Sequence, residues 1–585
     1  MKKYSDIFCK WLKEAGYTHC FTLGGGNIMH LTESASNYFK IVPVINEVAA
    51  VIGAEYFNEC ETDKKAFVLV TTGPGVTNTI TGIAGAFLES RELLVIGGQV
   101  KVENLQSGGV RQIGIQELDT ISLTKSIVKA SLQITKPITK KELFDLIKVS
   151  RTPRKGPVFI DFPIDVQAAK VEEKEENISI ALRETFKFAP EKEIENVANL
   201  IKNSKRPSIL LGAGISRKLN LIPILEKLGT IPVFTTWNAL DRIDSSHELY
   251  FGRPNTWGMR YSNILLSQSD LIISLGSRLG LQQTGFNYQE FAPNAKIVQV
   301  EADAPELEKN LRKIDFKILG DANNFLETLA SKELGNHKEW LDFCKMVKVE
   351  LPLNEEWANK KPDEGFISPF SFVEGISKIL TKNDNYITCS SGGAYTVNMQ
   401  TFQPKLGQVT ISNKALASMG YGLSGAIGTC FAFPERRTIL VEGDGGFGQN
   451  LQELGTVKVN KLNLKMFIFF DNGYASIRQT QKNYFNGKYV GCDENTGVGM
   501  PNWKDLAKAY DIPFMNFTNF EDLDFLKLFN SNSPSLFIVH IDPNQTYFPK
   551  IASKVLPNGS MASNPIHFMS PELPPEISQK VFKYL

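Results

Sequence analysis

Short apolar runs that end in or near glycine alternate with segments of helical spacing along most of the chain. The apolar runs include residues 66–71 and 93–96, 208–212 and 271–275, and 438–441 and 466–470. Between such runs lie amphipathic segments such as residues 4–15 and 191–202, in which apolar side chains recur every three or four positions. Strands that alternate with helices predict parallel sheets covered by helices on both faces. We therefore predict an α/β fold with three doubly wound parallel-sheet domains.

The length of the chain agrees with several domains. The chain has 585 residues, and a single hydrophobic core stops growing at about 250–300 residues. We place a first domain at residues 1–170, a central domain at 177–335, a third domain at 365–550 and a tail at 551–585. The charged segment 171–176 is expected to be a linker. The proline-rich tail is expected to lie as a lid over the functional site that the motifs described below predict.

Charge and cysteine usage limit the function classes. The formal net charge is +1, which gives no reason to expect a nucleic-acid partner or an anionic membrane surface. The seven cysteines are scattered and contain no CxxC pair, which is typical of a reducing cytoplasm and disfavours a disulfide framework or a zinc site. The first residues lack the unbroken apolar run of a signal peptide, and no stretch reaches the roughly 18 apolar residues of a membrane span. We therefore expect a cytoplasmic enzyme.

The turn after the run 438–441 carries the strongest chemical signal. A G-x-G-x-x-G pattern begins at Gly443, and Asp471 follows the next apolar run, which together fit a dinucleotide-binding turn. Asp444 opposes that interpretation, because a carboxylate in the turn repels a bare pyrophosphate. A divalent cation removes the conflict, since carboxylate and phosphate oxygens can share one Mg²⁺. We predict a magnesium–diphosphate site with Asp444, Asp471 and the Gly473 carbonyl as ligands, and a dinucleotide site or a solvated turn is the alternative.

These residues resemble the thiamine diphosphate motif that acetohydroxyacid (acetolactate) synthase, pyruvate decarboxylase and their relatives share. In that family the second metal ligand is usually the second Asn of an Asn-Asn pair, whereas this chain has Phe470-Asp471 there. Aspartate has nearly the shape of asparagine and is a good Mg²⁺ ligand, so the site is expected to survive with one additional negative charge. Asn472 is the alternative second ligand if the alignment shifts by one residue.

The resemblance also implies which residues activate the cofactor. Glu47 follows an apolar strand and leads into a helix of small residues, as does the family's glutamate that hydrogen-bonds N1′ of the aminopyrimidine ring. By sharing a proton with N1′, that glutamate helps the cofactor to lose its C2 proton and to become a nucleophile. A carboxylate that merely favours the start of a helix is the alternative for Glu47.

Gln116 is the candidate hydrogen-bond donor to the substrate. It lies in a stretch similar to one of acetohydroxyacid synthase that ends in Phe-Gln-Glu, where the glutamine faces the reacting carbon. A solvated polar loop is the alternative. No His-His pair occurs in this region, although pyruvate decarboxylases use one as a proton relay, and this disfavours simple aldehyde release.

Further segments resemble the cofactor-binding turns of the family. Residues 72–78 are similar to the turn at the pyrimidine end of the site, and residues 415–422 are similar to the segment with an apolar wedge under the bent cofactor. Met419 is the candidate wedge, with core filling as the alternative, and the Ala417 carbonyl is the candidate acceptor for the 4′-amino group. The predicted cofactor-binding positions are Gly25, Thr72, Gly73, Pro74, Asn78, Gly392, Gly393, Ala417, Met419, Gly443, Gly445, Gly446, Tyr474 and Ala475.

Glycine turns also follow the strands of the central domain. By resemblance, this domain holds FAD in acetohydroxyacid synthase and in some sugar-modifying carboligases, whereas other members of the family have the same domain without flavin. The candidate FAD positions are Gly212, Gly214, Gly276, Arg278, Glu301 and Asp321. Ordinary strand ends are the alternative explanation for these turns.

The motifs occur in order along nearly the whole chain and imply a thiamine diphosphate- and magnesium-dependent carboligase. It is expected to decarboxylate a 2-oxo acid, with pyruvate as the first choice, and to transfer the acyl unit to an acceptor carbonyl. In the family the glutamate of one subunit meets the diphosphate site of another, so Glu47 implies a homodimer or a homotetramer.

The acceptor is less constrained than the donor. Thr480 falls near the position of a tryptophan that favours 2-oxobutanoate in acetohydroxyacid synthases. The tail is most similar to carboligases of surface-polysaccharide pathways, which act on keto-sugar nucleotides. The alternatives are acetolactate synthase itself and a non-ligating 2-oxo acid decarboxylase or oxidase. From a different class, a dinucleotide-dependent oxidoreductase or an inactive cofactor-binding subunit also stays open.

Overall fold

In the computed structural model, which describes residues 1–106, 109–172, 187–309 and 311–585 (for 554 and 555 the backbone only), the chain forms three parallel β-sheets covered by helices. The strand pairs of these three sheets are parallel. This confirms the predicted α/β class with three doubly wound parallel-sheet domains. The predicted linker 171–176 and the predicted start of the central domain at residue 177 fall mostly outside the described ranges.

The first domain begins with a short strand that pairs antiparallel with the last strand of the domain. Its strands are β1 (Lys2–Lys3), β2 (Tyr17–Thr22), β3 (Lys40–Pro43), β4 (Lys65–Val70), β5 (Leu93–Gln99), β6 (Ala130–Gln133), β7 (Pro157–Pro163) and β8 (Lys170–Val171). Its helices are α1 (Tyr4–Glu14), α2 (Met29–Ser36), α3 (Glu47–Glu59), α4 (Pro74–Thr77), α5 (Ile80–Leu88), α6 (Thr120–Thr124), α7 (Lys140–Arg151) and α8 (Ile164–Ala168). The parallel sheet has the strand order β3-β2-β4-β5-β7-β6.

The central domain has a five-stranded sheet and its own hydrophobic core. Its strands are β9 (Pro207–Leu211), β10 (Val233–Thr235), β11 (Leu271–Leu275), β12 (Lys296–Glu301) and β13 (Phe316–Leu319). The helices of this part of the chain are α9 (Glu191–Asn203), α10 (Ile222–Leu228), α11 (Arg260–Ser267), α12 (Leu281–Thr284), α13 (Ala304–Leu307), α14 (Ala322–Leu329) and α15 (Lys338–Glu350). The strand order is β10-β9-β11-β12-β13.

The third domain again has six parallel strands. They are β14 (Asn385–Thr388), β15 (Val409–Ile411), β16 (Thr438–Gly443), β17 (Leu464–Phe470), β18 (Phe514–Asn516) and β19 (Ser535–His540), in the order β15-β14-β16-β17-β19-β18. The helices are α16 (Pro369–Ile379), α17 (Gly392–Thr401), α18 (Tyr421–Ala432), α19 (Asp444–Phe447), α20 (Leu454–Val459), α21 (Ala475–Tyr484), α22 (Trp503–Ala509) and α23 (Leu523–Phe529). Strand β17 is buried along nearly its whole length because helices cover both faces of the sheet.

The tail packs on the central domain. It contains strands β20 (Lys550–Ile551), β21 (Ser553–Val555), β22 (Met561–Ser563) and β23 (Met569–Ser570) and helix α24 (Pro575–Val581). Side chains on α11 hold it: Arg260 donates to the Met569 carbonyl at 3.0 Å, and Asn263 donates to the Ile566 carbonyl at 2.9 Å. These contacts fasten the tail to α11, and its predicted role as a lid stays a prediction.

The first and third sheets have the same strand order. In all three parallel sheets the second strand of the sheet lies on one side of the first strand and the third strand on the other side, so the strand order reverses at the first strand. The reversal lies between β2 and β4, between β9 and β11, and between β14 and β16. Ligands of open α/β sheets bind at the carboxyl ends of the strands at such a switch point. In the third sheet, this edge is where Gly392 follows β14 and Asp444 follows β16.

Helix α3, which begins at Glu47, connects the first domain to the third. It packs along its length against α18 of the third domain, and the two domains share one buried apolar cluster. A buried and a partly buried ion pair hold its second half: Arg91 donates to Glu55 at 2.6 Å, and Arg217 of the central domain donates to Glu59 at 2.9 Å. The position of Glu47 therefore depends on contacts from all three domains.

We expect Gly428→Ala to destabilise the fold, because a Cβ at this position on α18 would overlap the backbone carbonyl oxygen of Gly53 on α3. Overpacking of this kind costs about 1–3 kcal/mol. Chemical denaturation measures the loss in the free energy of unfolding. The matched control is Gly499→Ala in the same domain, where an added Cβ meets nothing within 4 Å. Equal stabilities of the two variants would contradict the close packing of α3 and α18.

Within the described ranges, no helix combines the length and the apolar character that crossing a membrane requires. All seven cysteines are buried and free.

Candidate active site

The ends of β16 and β17 place the two predicted carboxylate ligands next to each other. The strands are parallel neighbours with Gly443 opposite Phe469, so the residues that follow them emerge at one edge of the sheet. Asp444 is only 1% exposed, and its carboxylate accepts from the Gly445 N–H at 2.7 Å and from the Gly473 N–H at 2.9 Å. Asp444 is thus tied to the segment that carries the predicted third ligand, the Gly473 carbonyl.

Asp471 completes this group. Its side chain is 13% exposed and lies 3.3 Å from the Arg478 guanidinium. Burial raises the pKa of Asp444, and burial together with the charge of Asp444 raises the pKa of Asp471 well above its ordinary value. A buried and a largely buried carboxylate that repel each other fit a hard divalent cation, whose preferred ligands are carboxylate and carbonyl oxygens. In the described ranges no three His, Cys, Asp or Glu side chains are grouped to hold a metal, so Mg²⁺ here would rest on two carboxylates, a carbonyl and the diphosphate.

The glycines that we predict at the diphosphate lie around these carboxylates. A Cβ on Gly445 would overlap the ring of Tyr474, so glycine is required for Tyr474 to pack there. Gly443 ends β16, Gly446 lies in α19, Gly392 and Gly393 begin α17, and Ala475 begins α21. The structure therefore brings all the residues predicted for the diphosphate end to the carboxyl edge of the third sheet.

Glu47 is held at the start of α3. It is 7% exposed, and its carboxylate accepts a hydrogen bond from the Asn78 side chain at 2.9 Å. The preceding residue, Asn46, caps the helix by accepting from the Val48 N–H at 3.1 Å. Two residues predicted independently for the pyrimidine end are thus in direct contact.

The turn after β4 contacts Gln116. The Thr72 hydroxyl donates to the Gln116 carbonyl at 3.4 Å, and a Cβ on Gly73, whose φ is +61°, would lie 2.5 Å from the same oxygen. Pro74 follows as the first residue of α4, and Gly25 lies against the side chain of Thr71 at the end of the neighbouring strand. These predicted residues all lie at the carboxyl edge of the first sheet, at its switch point.

Ala417 and Met419 precede α18 in a strained loop. Ala417 has a φ of +56°, and Gln116 and Asn472 also have positive φ values, of +63° each. Non-glycine residues in this region often lie at functional sites, where the surroundings hold them in place. Met419 is 38% exposed, so it is not the buried core filler of the alternative interpretation.

Within one chain, the residues predicted for the pyrimidine end of the cofactor have contacts of their own, which differ from those of the predicted metal ligands. The carboxylate of Glu453 accepts from the Ile45 N–H at 3.1 Å and from the Asn46 N–H at 2.9 Å. In the described part of the chain, no hydrogen bond or ion pair connects Glu47 with Asp444 or Asp471. The arrangement across two subunits, which the resemblance implies, stays a prediction.

The candidate FAD positions have protein partners of their own. Gly212 and Gly214 pack on Gly276, and a Cβ on Gly212 would overlap the Gly276 carbonyl. Asp321 caps α14 by accepting from the Asn323 N–H at 2.9 Å. These contacts account for the glycines and the aspartate without a ligand.

The two other candidate FAD positions lie beside charged neighbours. Burial, followed by the charge of Glu306, raises the pKa of Glu301 to about 7, while the Arg278 carbonyl accepts from Lys309. A raised pKa on a buried carboxyl does not by itself indicate a ligand. The flavin therefore stays a prediction.

Three functional-site neighbours were missed from the sequence. Arg478 binds Asp471, Glu453 binds the backbone before Glu47, and Glu117 accepts from the Ile113 and Gly114 N–H groups at 2.7 and 3.1 Å in the loop of Gln116. Arg478 could have been found, because a lone basic residue shortly after a predicted acidic ligand is a candidate counter-charge. The contact of Glu453 has no local signal, whereas Glu117 bonds to residues three and four positions before it, within the stretch that resembles the synthases.

Comparison with known proteins agrees with the geometry. Three models match: "Thiamine pyrophosphate enzyme, N-terminal TPP binding domain" at residues 2–123, the central domain at 194–329 and the "C-terminal TPP binding domain" at 391–539. Thiamine pyrophosphate (TPP) is another name for thiamine diphosphate.

Several curated proteins are similar over most of their length. A probable acetolactate synthase large subunit of Methanococcus aeolicus is 30% identical over 84% of this chain and 83% of its own length. The acetolactate synthase large subunit of Lactococcus lactis subsp. lactis is 29% identical over 94% of both chains, and isozyme 2 of Escherichia coli is 27% identical over 84% of this chain and 86% of its own. The chain therefore belongs to the thiamine pyrophosphate enzymes, in the acetolactate synthase-like family.

Proposed function

We propose that this enzyme is a thiamine diphosphate- and magnesium-dependent carboligase that decarboxylates pyruvate and transfers the acyl unit to an acceptor carbonyl. The observation that carries the proposal is the pairing of two carboxylates, the buried Asp444 and the largely buried Asp471, at the carboxyl edge of the third sheet. Such a pair is unfavourable alone and favourable around a divalent cation. The family assignment supports the thiamine cofactor and replaces the dinucleotide-dependent oxidoreductase alternative.

In this proposal Asp444, Asp471 and the Gly473 carbonyl hold Mg²⁺, and the glycine turns around them receive the diphosphate. Asp471 is favoured over Asn472 as the second ligand, because the Asp471 carboxylate lies beside Asp444. The Asn472 side chain is exposed, and its backbone is in the left-handed region. The bound cofactor would supply an electron sink for the electron pair that decarboxylation leaves behind.

The chain's own residues would then position the cofactor and the substrate and would hold a proton at the aminopyrimidine ring. Glu47 would hold a proton at N1′ of the aminopyrimidine, and Asn78 keeps the Glu47 carboxylate in place through the bond of 2.9 Å. The Ala417 carbonyl would accept from the 4′-amino group, and Met419 would support the ring from below. Gln116 would donate to the substrate, since its loop meets the turn of Thr72 and Gly73.

We propose a homodimer, or a dimer of such dimers, in which Glu47 meets the metal site of a second copy. Large apolar side chains are exposed near the predicted site residues, with Ile45 at 55%, Ile115 at 85% and Met419 at 38%. A second subunit would cover this surface and complete the site. The buried, unpaired cysteines support a cytoplasmic location.

The acceptor distinguishes two candidate functions. The names of the relatives favour pyruvate as acceptor as well as donor, which would make the enzyme an acetolactate synthase. Thr480, which is exposed on α21, lies near the position where the resembled synthases carry a tryptophan, and this favours a different acceptor such as a keto-sugar nucleotide.

The test is to incubate the purified enzyme with pyruvate, thiamine diphosphate and Mg²⁺ and to measure CO₂ release and the products. We expect CO₂ release that requires both the cofactor and the metal, and a carbon–carbon-linked product with one of the acceptors. Oxidation of NADH without CO₂ release would contradict the proposal. The visible absorption spectrum of the same sample shows whether FAD is bound.

A further inference from the structure

A single buried arginine organises the turn that carries the predicted metal ligands. Arg478 lies on α21 and donates to the Asp471 carbonyl at 2.6 Å and to the Asp471 carboxylate at 3.3 Å. Its other nitrogen donates to the Asn472 carbonyl at 3.1 Å and to the Cys492 carbonyl at 3.4 Å. The guanidinium thus contacts both residues that precede Gly473, Asp471 and Asn472, and joins them to the Cys492 carbonyl.

The charge of this arginine matters because Asp471 departs from the resembled motif. An asparagine there would leave one carboxylate, Asp444, next to the metal and the diphosphate. Aspartate adds a second negative charge in a buried site that must also receive an anionic group, and such repulsion is poorly screened. Among the ion pairs of the described residues, the pair with Arg478 is the one that reaches either carboxylate.

The geometry also separates the two oxygens of Asp471. The hydrogen bond to Arg478 engages Oδ1, and in the proposed site Oδ2 would be the oxygen that binds the cation. A guanidinium is suited to this task, because it presents several donors in a fixed plane and keeps its charge at any accessible pH.

We propose that Arg478 is a positioning residue for magnesium, which balances the charge that Asp471 adds and orients the Asp471 carboxylate toward the metal. This inference rests on the proposed thiamine diphosphate–magnesium site. It separates two roles for Arg478: a counter-charge for Asp471, or a brace for the backbone carbonyls alone. Only the first role depends on the charge of residue 471.

A double-mutant cycle distinguishes the two roles. The variants are Arg478→Met, Asp471→Asn and the double variant, and the measured quantity is the Kd of thiamine diphosphate at a fixed Mg²⁺ concentration, by isothermal titration calorimetry. We expect Arg478→Met to weaken binding by about 10- to 100-fold, as loss of a residue that supports a metal ligand does. In the Asp471→Asn background the same substitution should cost at least about fivefold less.

Two further variants distinguish a loss of cofactor affinity from a loss of folding. Arg478→Lys keeps the charge with fewer donors and should retain more affinity than Arg478→Met. Arg437→Met removes the arginine of a partly buried pair with Asp384 in the same domain, with N–O distances of 2.8 and 3.0 Å. Arg437 precedes β16 and therefore lies at the opposite edge of the sheet, so this control should lower stability and leave the Kd unchanged.

The possible results lead to different conclusions. An equal loss on Arg478→Met in both backgrounds would overturn the proposal and leave Arg478 as a backbone brace. A wild-type enzyme that binds thiamine diphosphate without any dependence on Mg²⁺ would instead overturn the proposed metal site, and with it this inference. A smaller loss in the Asp471→Asn background would support both.

Discussion

Glu47→Gln is expected to slow CO₂ release from pyruvate by about 10²- to 10⁴-fold, the range for loss of a general acid–base group. Glutamine keeps an oxygen that can accept from Asn78, so the side chain should stay where Glu47 is. It cannot hold and return a proton at N1′. The rate at saturating cofactor should therefore fall while the Kd of thiamine diphosphate stays within a few-fold of wild type.

A matched control lies on the same helix. Glu55 is buried on α3, where it pairs with Arg91 at 2.6 Å and accepts from Asn413 at 3.1 Å. Glu55→Gln should lower the free energy of unfolding by about 1.5–3 kcal/mol, because a hydrogen bond to a charged group is weakened. Its turnover per folded molecule should stay close to wild type. If Glu55→Gln and Glu47→Gln lost activity to the same extent, the effect would belong to the helix and not to the proton at N1′.

The elements that position the site could be predicted because their signals are local. The runs that became β4, β16 and β17 end at glycine or at a polar residue, and both faces of each sheet are covered, so the apolar pattern marks the strands directly. Strand β17 shows where the apolar pattern fails, because its second residue, Lys465, is charged. Lys465 is a buried lysine whose ammonium donates to the Ser531 carbonyl at 2.8 Å, so a charged side chain inside the strand shortened the predicted run.

Several contacts that orient the site residues could not be predicted, because they join distant parts of the chain. Glu453 binds the backbone N–H of Ile45 across 408 positions, and no periodicity connects two such residues. The same holds for the tail, whose partners Arg260 and Asn263 lie on α11. Sequence patterns identify which residues carry the chemistry, whereas the non-local hydrogen bonds decide how those residues are held.

The glycines of the central domain show how one sequence feature can have two causes. Gly212 and Gly276 follow neighbouring strands at the switch point, where a nucleotide would also bind. Their backbones pack directly on each other, and this alone requires glycine. A glycine turn is therefore weaker evidence for a ligand than a buried pair of carboxylates, because close backbone packing stabilises the fold while two facing carboxylates do not.

Asp444→Asn is expected to weaken thiamine diphosphate binding in the presence of Mg²⁺ by at least about 100-fold, since a direct ligand should matter no less than the residues that support it. Both oxygens of Asp444 accept backbone N–H groups, from Gly445 and Gly473. An asparagine would place its NH₂ group against one of these donors and would remove a charge from the metal. Calorimetric titration of the cofactor at fixed Mg²⁺ measures the effect.

The same substitution should have the opposite effect on the enzyme without ligands. Because burial raises the folded-state pKa of Asp444 and Asp471, the stability that these groups contribute is present below the ordinary aspartate pKa and is lost as the pH rises through the raised values. Above the ordinary aspartate pKa, the ligand-free wild type therefore bears a free-energy cost at these two groups. Asp444→Asn relieves it, so the ligand-free variant should melt at the same temperature as wild type or higher.

Bound ligands should then reverse the order of the melting temperatures of wild type and Asp444→Asn. A cofactor at 100 times its Kd stabilises the folded state by about 2.7 kcal/mol, so Mg²⁺ and thiamine diphosphate should raise the Tm of wild type and leave that of Asp444→Asn nearly unchanged. Asp522→Asn is the matched control, because Asp522 is an aspartate of the same domain that also accepts two backbone N–H groups, from Asp524 and Phe525. This control should gain as much Tm from the ligands as wild type. An equal gain in Tm by Asp444→Asn would show that cation binding does not depend on Asp444. A ligand that binds the folded site through this carboxylate should stabilise Asp522→Asn and leave Asp444→Asn nearly unchanged.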